Sequence, residues 1–186
     1  RANVEMECIG WQGRMGGAWM PTDNEKMSFT SIGQTPEKTS ETETSELVRS
    51  LVESGAEAIL YAGGDGTTRD IANALHSIDK DAQEMPLIGV PGGVKMHSGC
   101  FATTPKAAAE VTLAFLLGDL RCAITEVMDL DEEIYQEGVW KVRMYGEAWT
   151  PSSPRFMQGA KEQVERTSES DTIEGLAQHV KSLIES

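Results

Sequence analysis

The stretch that decides the fold reads AILYAGGDGTTRD and spans residues 58–70. Residues 58–62 are apolar on both faces, as expected of a strand buried within a parallel sheet. Glycines follow at once, and apolar residues then recur at helical spacing from Thr67 to Ile78. A glycine-rich turn between a buried strand and a helix lies where open α/β sheets bind their ligands, at the carboxyl end of the strand.

The same unit recurs downstream. Residues 86–90 read PLIGV, a second short apolar strand, and Pro91-Gly92-Gly93 form a second glycine-rich turn. Thr104 and Pro105 suit the N-cap and the first turn of a helix that continues to Leu117. Strand, helix, strand and helix in close succession predict an α/β fold with a parallel sheet and right-handed crossovers.

Two elements are predicted upstream of these units. Residues 4–8 alternate apolar and acidic side chains, which indicates a strand with one wet face. The glycine-studded residues 10–17 are interpreted as a surface turn after that strand, with a phosphate loop as the alternative. Ser40 and Glu43 have the spacing of a capping box, which predicts a helix through Val52.

The pattern changes after Gly118. Residues 122–130 and 140–144 alternate as strands with no long helix between them, which predicts an antiparallel element. A last amphipathic helix is predicted from the N-cap Asp171 onward. The predicted domains are an α/β nucleotide-binding domain at 1–121 and the start of a β-rich second domain at 122–186. We expect the chain to be a piece of a longer protein, incomplete at both ends.

Composition excludes several classes of function. The net charge is −14, which argues against nucleic-acid binding because little would neutralise a phosphate backbone. No apolar run exceeds five residues, so no membrane span is expected. Cys8, Cys100 and Cys122 cannot all pair and show no CxxC spacing, which favours a cytoplasmic location. A homo-oligomer is expected, because an exposed sheet and an unsupported last helix need partners.

Asp65 is the unusual residue of the first turn. The glycines expose N–H groups and the following helix adds positive potential, which suits phosphate. A carboxylate in that place repels phosphate unless it serves a proton or a metal. The alternative is that Asp65 only caps the helix. Arg69, in the first helical turn, can pair with a phosphate or with a neighbouring acid.

The motifs resemble one kinase superfamily. The sequence AGGDGTTRDI at 62–71 resembles the GGDGT signature shared by NAD kinases, diacylglycerol and sphingosine kinases and, more remotely, phosphofructokinases. The sequence IGVPGGVKMHSG at 88–99 resembles the ATP-NAD kinase-like branch that includes the acetoin-catabolism X proteins. EVMDLDEE at 126–133 and Tyr145-Gly146 are also similar to that branch, and they follow in the same order along the chain. The resemblance extends from about Gly13 to Gly159.

The resemblance implies an NAD kinase-like fold and transfer of the γ-phosphoryl group of ATP, or of polyphosphate, to a hydroxyl. In NAD kinases this is the 2′-hydroxyl of the adenosine ribose, and Mg²⁺ bridging the phosphates is implied. Asp65 becomes the candidate base that deprotonates the acceptor hydroxyl, with Lys95 as the candidate cation. The candidate nucleotide-binding residues are Gly63, Gly64, Gly66, Thr67, Thr68, Arg69, Gly92, Gly93, Lys95, His97 and Ser98.

Several alternatives stay open at this point. Lys95 can be an exposed loop lysine and His97 a structural side chain. Asp129 and Asp131 can hold a metal or form a solvated acidic turn. Pro91-Gly92-Gly93 stands where the family has Pro-Ala-Gly, and no Asn-Glu pair for dinucleotide recognition is found. The alternative functions are a non-catalytic nucleotide-binding or regulatory module and a kinase for another small molecule, such as a lipid or a sugar.

Overall fold

A computed structural model describes residues 5–21, 23–92, 96–130 and 141–158. The regular elements, in chain order, are β1 (Met6–Gln12), β2 (Met27–Gln34), α1 (Glu41–Glu53), β3 (Ile59–Gly63), α2 (Asp65–Ile78), α3 (Lys80–Gln83), β4 (Leu87–Pro91), α4 (Pro105–Leu116), β5 (Cys122–Leu130) and β6 (Val142–Pro151). A single 3-10 turn at Gly17–Trp19 lies between β1 and β2. The predicted helix that begins near Asp171 lies outside the described residues.

Strands β3 and β4 form the parallel pair that the sequence predicts. Their register runs from Ile59 opposite Leu87 to Gly63 opposite Pro91. Because the strands are parallel and in register, both glycine-rich turns begin at the same edge of the pair. The mixed α/β character of the fold is therefore confirmed, and Gly63 and Pro91, where the two strands end, lie opposite each other.

The predicted helix starts are confirmed by their caps. The Ser40 backbone N–H donates to Glu43 Oε2 at 2.6 Å and Thr42 N–H donates to Ser40 Oγ at 3.2 Å, which completes the capping box of α1. The hydrogen bond from the Ser40 hydroxyl is the main reason why the pKa of Glu43 is lowered. At α4, Ala107 N–H donates to Thr104 Oγ1 at 3.0 Å.

The N-terminal strands differ from the prediction in extent and number. β1 continues through Gly10, and the chain turns only at Gly13, whose φ of 92° favours glycine. β2, which was not predicted, pairs with β1 in parallel. The alternation of Met27 and Phe29 with small polar residues was the available signal for it.

The predicted antiparallel element is confirmed by β5 and β6, which pair from Cys122 opposite Pro151 to Leu130 opposite Val142. This pair packs on the preceding elements rather than standing apart. Val127 and Ala148 belong to the same buried cluster as Leu75, Leu87 and Phe101. The described residues of both segments thus share one core. The division near Arg121 and a separate β-rich domain stay predictions.

The described ranges contain all three cysteines and every helix given above. All three cysteines, Cys8, Cys100 and Cys122, are free thiols. Within those ranges, no helix combines the length and the apolar character that crossing a bilayer requires.

Candidate functional site

Asp65 is the first residue of α2 and follows directly from β3 and the N-cap Gly64. Its side chain is 7% exposed. The carboxylate does not cap its own helix. It reaches instead to His97 and Ser98, in the segment after β4. The capping alternative is therefore wrong, and Asp65 connects the first glycine turn to that later segment.

Both oxygens of the Asp65 carboxylate have two hydrogen-bond donors. Oδ1 accepts from the Ser98 N–H at 2.8 Å and lies 2.6 Å from Ser98 Oγ. Oδ2 accepts from the His97 N–H at 2.8 Å and lies 3.0 Å from His97 Nδ1. A buried carboxylate is tolerated when it is hydrogen-bonded in this way. The four contacts explain how the charge is accommodated at this depth.

Ser98 extends the contact to strand β5. Its side chain is fully buried, and its Oγ lies 2.9 Å from Met128 O and 3.0 Å from Met128 N, which donates to it. The hydroxyl has a single proton, which Asp65 Oδ1 and Met128 O compete to accept. Ser98 is thus an internal bridge rather than a side chain that faces a ligand.

His97 differs from Ser98 in its access to solvent. Its side chain is 33% exposed, although Nδ1 points at Asp65. The alternative in which His97 is a structural side chain therefore describes only Nδ1, which contacts Asp65. The other nitrogen, Nε2, has no hydrogen-bond partner in the part of the chain that the structure describes.

Arg69 pairs with acids, which was one of its two predicted alternatives. Its Nη1 lies 2.8 Å from Asp129 Oδ2 and its Nε 3.5 Å from Asp70 Oδ1. The guanidinium also lies 5.4 Å from the centre of the Tyr145 ring. Burial raises the pKa of Asp70 by more than the Arg69 charge lowers it.

Asp129 is consequently neutralised by a protein cation. Its Oδ2 faces Arg69, and its Oδ1 accepts from the Leu130 N–H at 2.8 Å. In the described ranges no group of three or more His, Cys, Asp or Glu is placed to hold a metal ion. We do not propose a metal-binding role for Asp129, and Asp131 lies outside the described residues.

Thr68 belongs to a buried polar cluster. Its hydroxyl is 2.5 Å from the Tyr61 hydroxyl and donates to Gly64 O at 3.2 Å, and its exposure is 0%. The Tyr61 hydroxyl also lies 3.2 Å from Cys100 Sγ. Burial raises the pKa of Cys100 to about 11 and the pKa of Tyr61 well above its usual value. The Thr68 side chain therefore faces the core, and direct nucleotide contact is not proposed for it.

The glycines of the first turn have different surroundings. A Cβ on Gly63 would lie 2.6 Å from Thr67 Oγ1, so this position has no room for a side chain. A Cβ on Gly64 would meet no atom of the described residues within 4 Å. A Cβ on Gly92 would lie 3.8 Å from the Gly63 N and O atoms, which is ordinary van der Waals contact. Open space therefore lies beside Gly64. Gly93 and Lys95 are outside the described residues.

Comparison with known protein families matches residues 16–120 to the ATP-NAD kinase N-terminal domain. The chain belongs to the ATP-NAD kinase family. The matched range includes Asp65 and both glycine turns of this family member. The predicted family is confirmed, and with it a kinase-like nucleotide-binding domain, whereas the branch of the acetoin-catabolism X proteins is not distinguished. No curated protein and no solved structure matches the chain.

Two site residues were not anticipated from the sequence in the roles that they have. Met128 holds Ser98 through its backbone, and Tyr145 stacks near Arg69. Both lie on β5 or β6, far along the chain from the glycine turns. Neither spacing nor residue type signals such contacts, because they arise from how the antiparallel pair packs on α2.

Proposed function

We propose that this ATP-NAD kinase family member binds ATP at the turn Gly63–Thr67 and transfers its γ-phosphoryl group to a hydroxyl. The proposed acceptor is the 2′-hydroxyl of NAD, with polyphosphate as an alternative donor. The observation that carries the proposal is the contact between Asp65 and His97 at the start of α2, beside the open space at Gly64. A proton-accepting centre thus adjoins a place where phosphate can approach.

The start of α2 has the features of a phosphate site. Gly64 provides no side-chain cap, and the first N–H groups of a helix have no acceptor within it. These donors and the positive end of the helix dipole favour an anion. The half-buried Thr67 adds a hydroxyl. On the neighbouring turn, Gly92, Gly93 and Lys95 are proposed to complete the cradle and supply a cation.

Mg²⁺ is the metal that the family implies, and when bound it would neutralise charge on the β- and γ-phosphates. Magnesium is commonly held by one or two carboxylates together with substrate phosphates, rather than by an all-protein cage. The absence of a three-ligand cluster among the described residues fits that mode. The chain's own contribution is then to position the phosphates and to remove a proton.

A second candidate function is nucleotide binding without catalysis. It is favoured by the four donors that already surround Asp65, since they leave the carboxylate little freedom to accept a further proton. This alternative predicts that ATP or NAD binds and that no phosphoryl group is transferred. A kinase for another acceptor would instead transfer phosphate to a sugar or a lipid but not to NAD.

The test begins with isothermal titration of the chain with ATP and with NAD, each with and without Mg²⁺. Transfer from γ-labelled ATP is then measured to NAD, to sugars and to diacylglycerol. We expect ATP binding and labelling of NAD. Binding without transfer to any acceptor would favour the regulatory module, and labelling of another acceptor alone would reassign the substrate.

Gly64→Ala probes the site with little effect on the fold. The added methyl group meets no atom in the described part of the chain and enters the open space, so ATP binding is expected to weaken at least about tenfold, or 1.4 kcal/mol. Gly146→Ala is the matched control, because a Cβ there also meets nothing within 4 Å. Equal ATP affinities of both variants and the wild type would refute this location.

We also propose that the protein is a cytoplasmic homo-oligomer. Support comes from the free thiols and from apolar side chains such as Leu60 and Ile124, each 53% exposed. Light scattering coupled to gel filtration tests the assembly. A monomer at all concentrations would refute it.

A further inference from the structure

We propose that His97 accepts the proton of the acceptor hydroxyl and that Asp65 holds the imidazole in the tautomer that leaves Nε2 free. The inference rests on the proposed phosphoryl transfer and assigns one step within it. It changes the role that the sequence suggested for Asp65 from base to positioning residue.

The surroundings of Asp65 make its carboxylate a poor partner for a substrate hydroxyl. Four donor atoms lie within 3.0 Å of its two oxygens, and the side chain is 7% exposed. A general base must come within about 2.6–3.2 Å of the atom whose proton it takes. Asp65 can do so only after giving up contacts with His97 or Ser98.

The imidazole of His97 has the free lone pair that Asp65 lacks. An ionised carboxylate only accepts hydrogen bonds, so Nδ1, at 3.0 Å from Asp65 Oδ2, carries a hydrogen. In the neutral ring the lone pair is then on Nε2. Within the described ranges Nε2 has no partner, and the side chain is 33% exposed. The charged group in direct contact with the ring in those ranges is Asp65 of α2.

This division of roles follows the chemistry of Asp–His pairs in hydrolases, where the carboxylate fixes the tautomer and stabilises the imidazolium. As the acceptor oxygen bonds to the γ-phosphorus of ATP, its proton passes to His97 Nε2. The bond from the γ-phosphorus to the β,γ-bridging oxygen breaks, and its electron pair leaves with ADP. The imidazolium, held beside Asp65, then returns the proton to water.

His97→Asn is the discriminating variant. The Asn amide nitrogen can donate to Asp65 in place of Nδ1, but the residue has no counterpart of Nε2. The backbone N–H groups of His97 and Ser98 and the Ser98 hydroxyl keep holding Asp65 in place. We expect kcat to fall by about 10²–10⁴ while the KM for ATP changes by less than about threefold. A kcat within about threefold of the wild type would overturn the inference.

Rescue of the His97→Ala variant by free imidazole distinguishes a proton-accepting role of His97 from a purely structural one. The exposed site of that variant admits free imidazole, which is expected to restore part of the lost kcat. His97→Asn is not expected to respond, because the amide fills the space. Equal responses of both variants to imidazole, or a response of neither, would overturn the inference.

The tautomer is measurable without turnover. Long-range ¹H–¹⁵N correlation spectra at about pH 8.5, roughly two units above an ordinary imidazole pKa, identify which nitrogen of each neutral ring is protonated. His97→Asn assigns the His97 signal among the three histidines. We expect the Nδ1–H form, and an Nε2–H form would overturn the inference. Failure of the wild type to bind ATP would instead overturn the proposed function, which separates the two failures.

Discussion

Ser98 Oγ lies 2.6 Å from Asp65 Oδ1 and 3.0 Å from Met128 N, so one serine links the first turn of α2 to strand β5. Ser98 itself is fully buried. It joins three segments that are far apart in the chain: the GGDGT turn, the segment after β4 and the antiparallel pair. The position of His97, the residue that precedes Ser98, depends on this link.

Ser98→Ala tests the link through stability. It removes one donor to Asp65 and the side-chain acceptor of the Met128 N–H, so the free energy of unfolding is expected to fall by about 1–3 kcal/mol. Urea unfolding measures the change. The control is Ser50→Ala, because the Ser50 hydroxyl is exposed and only donates to Glu46 O within α1 at 2.9 Å. The control should change stability by less than about 0.5 kcal/mol, and a Ser98→Ala effect of that size would contradict the bridging role.

Substitutions of the adjacent residues Thr67 and Thr68 are expected to have different effects on stability and on ATP affinity. Thr68→Val removes the contacts with the Tyr61 hydroxyl and Gly64 O, and should cost about 1 kcal/mol of stability with unchanged ATP affinity. Thr67→Ala leaves the core intact and should weaken ATP binding by about three- to tenfold. Urea unfolding and isothermal titration measure the two effects. A larger loss of ATP affinity in Thr68→Val than in Thr67→Ala would contradict this division.

How far the sequence predicted the site depends on the range of the contacts. The buried strand, the glycine turn and the helix over residues 58–78 are local patterns, and the parallel register of β3 and β4 then brings both turns to one edge. Asp65 was a candidate on that basis, and His97 and Ser98 were candidates through the family resemblance of residues 88–99. Their roles were not predictable, because whether a side chain faces a ligand or a neighbouring segment depends on long-range packing.

Thr68 and Asp129 show the same limit. Thr68 stands next to Thr67 in the motif, but helical geometry turns its hydroxyl into the core beside Tyr61. Asp129 was a candidate for a metal or for a solvated turn, and the structure pairs it with Arg69. That pairing needs β5 to pack on α2. β2 was missed for a different reason, since its alternation breaks after Phe29 and Thr30.

The raised pKa of the buried Cys100 thiol predicts a loss of folding stability at alkaline pH. Burial raises its pKa from 9.0 to about 11, so the folded state keeps the thiol neutral while the unfolded chain ionises it. The stabilisation is fully present below about pH 9 and is lost as the pH rises through about 11; a shift of this size corresponds to about 2–3 kcal/mol.

Urea unfolding at about pH 8, 9, 10 and 11 measures this loss. Cys100→Ala removes the thiol and should give a flatter decline. Some decline should persist in that variant, because the pKa of Tyr61 is also raised by burial. Parallel curves for wild type and Cys100→Ala would show that the thiol does not contribute.

The ion pair between Arg69 and Asp129 predicts that the two side chains are energetically coupled. It also predicts that Asp129 does not contribute to Mg²⁺ binding. The side chains are 23% and 15% exposed, so neither charge is fully solvated. A double-mutant cycle with Arg69→Met and Asp129→Asn should give a coupling free energy of about 0.5–3 kcal/mol in urea unfolding. A coupling near zero would mean that the ion pair does not contribute to stability.

The same Asp129→Asn variant separates the ion pair from the metal site that the sequence left open. Oδ2 of Asp129 is engaged by Arg69 and Oδ1 by the Leu130 N–H, so the affinity for Mg²⁺ with ATP should stay within about threefold of the wild type. Titration of ATP at saturating Mg²⁺ measures it, with ATP alone as the control. A loss confined to the titration with Mg²⁺ would make Asp129 a metal ligand in the nucleotide complex, and Arg69 would then have to release it when the nucleotide binds.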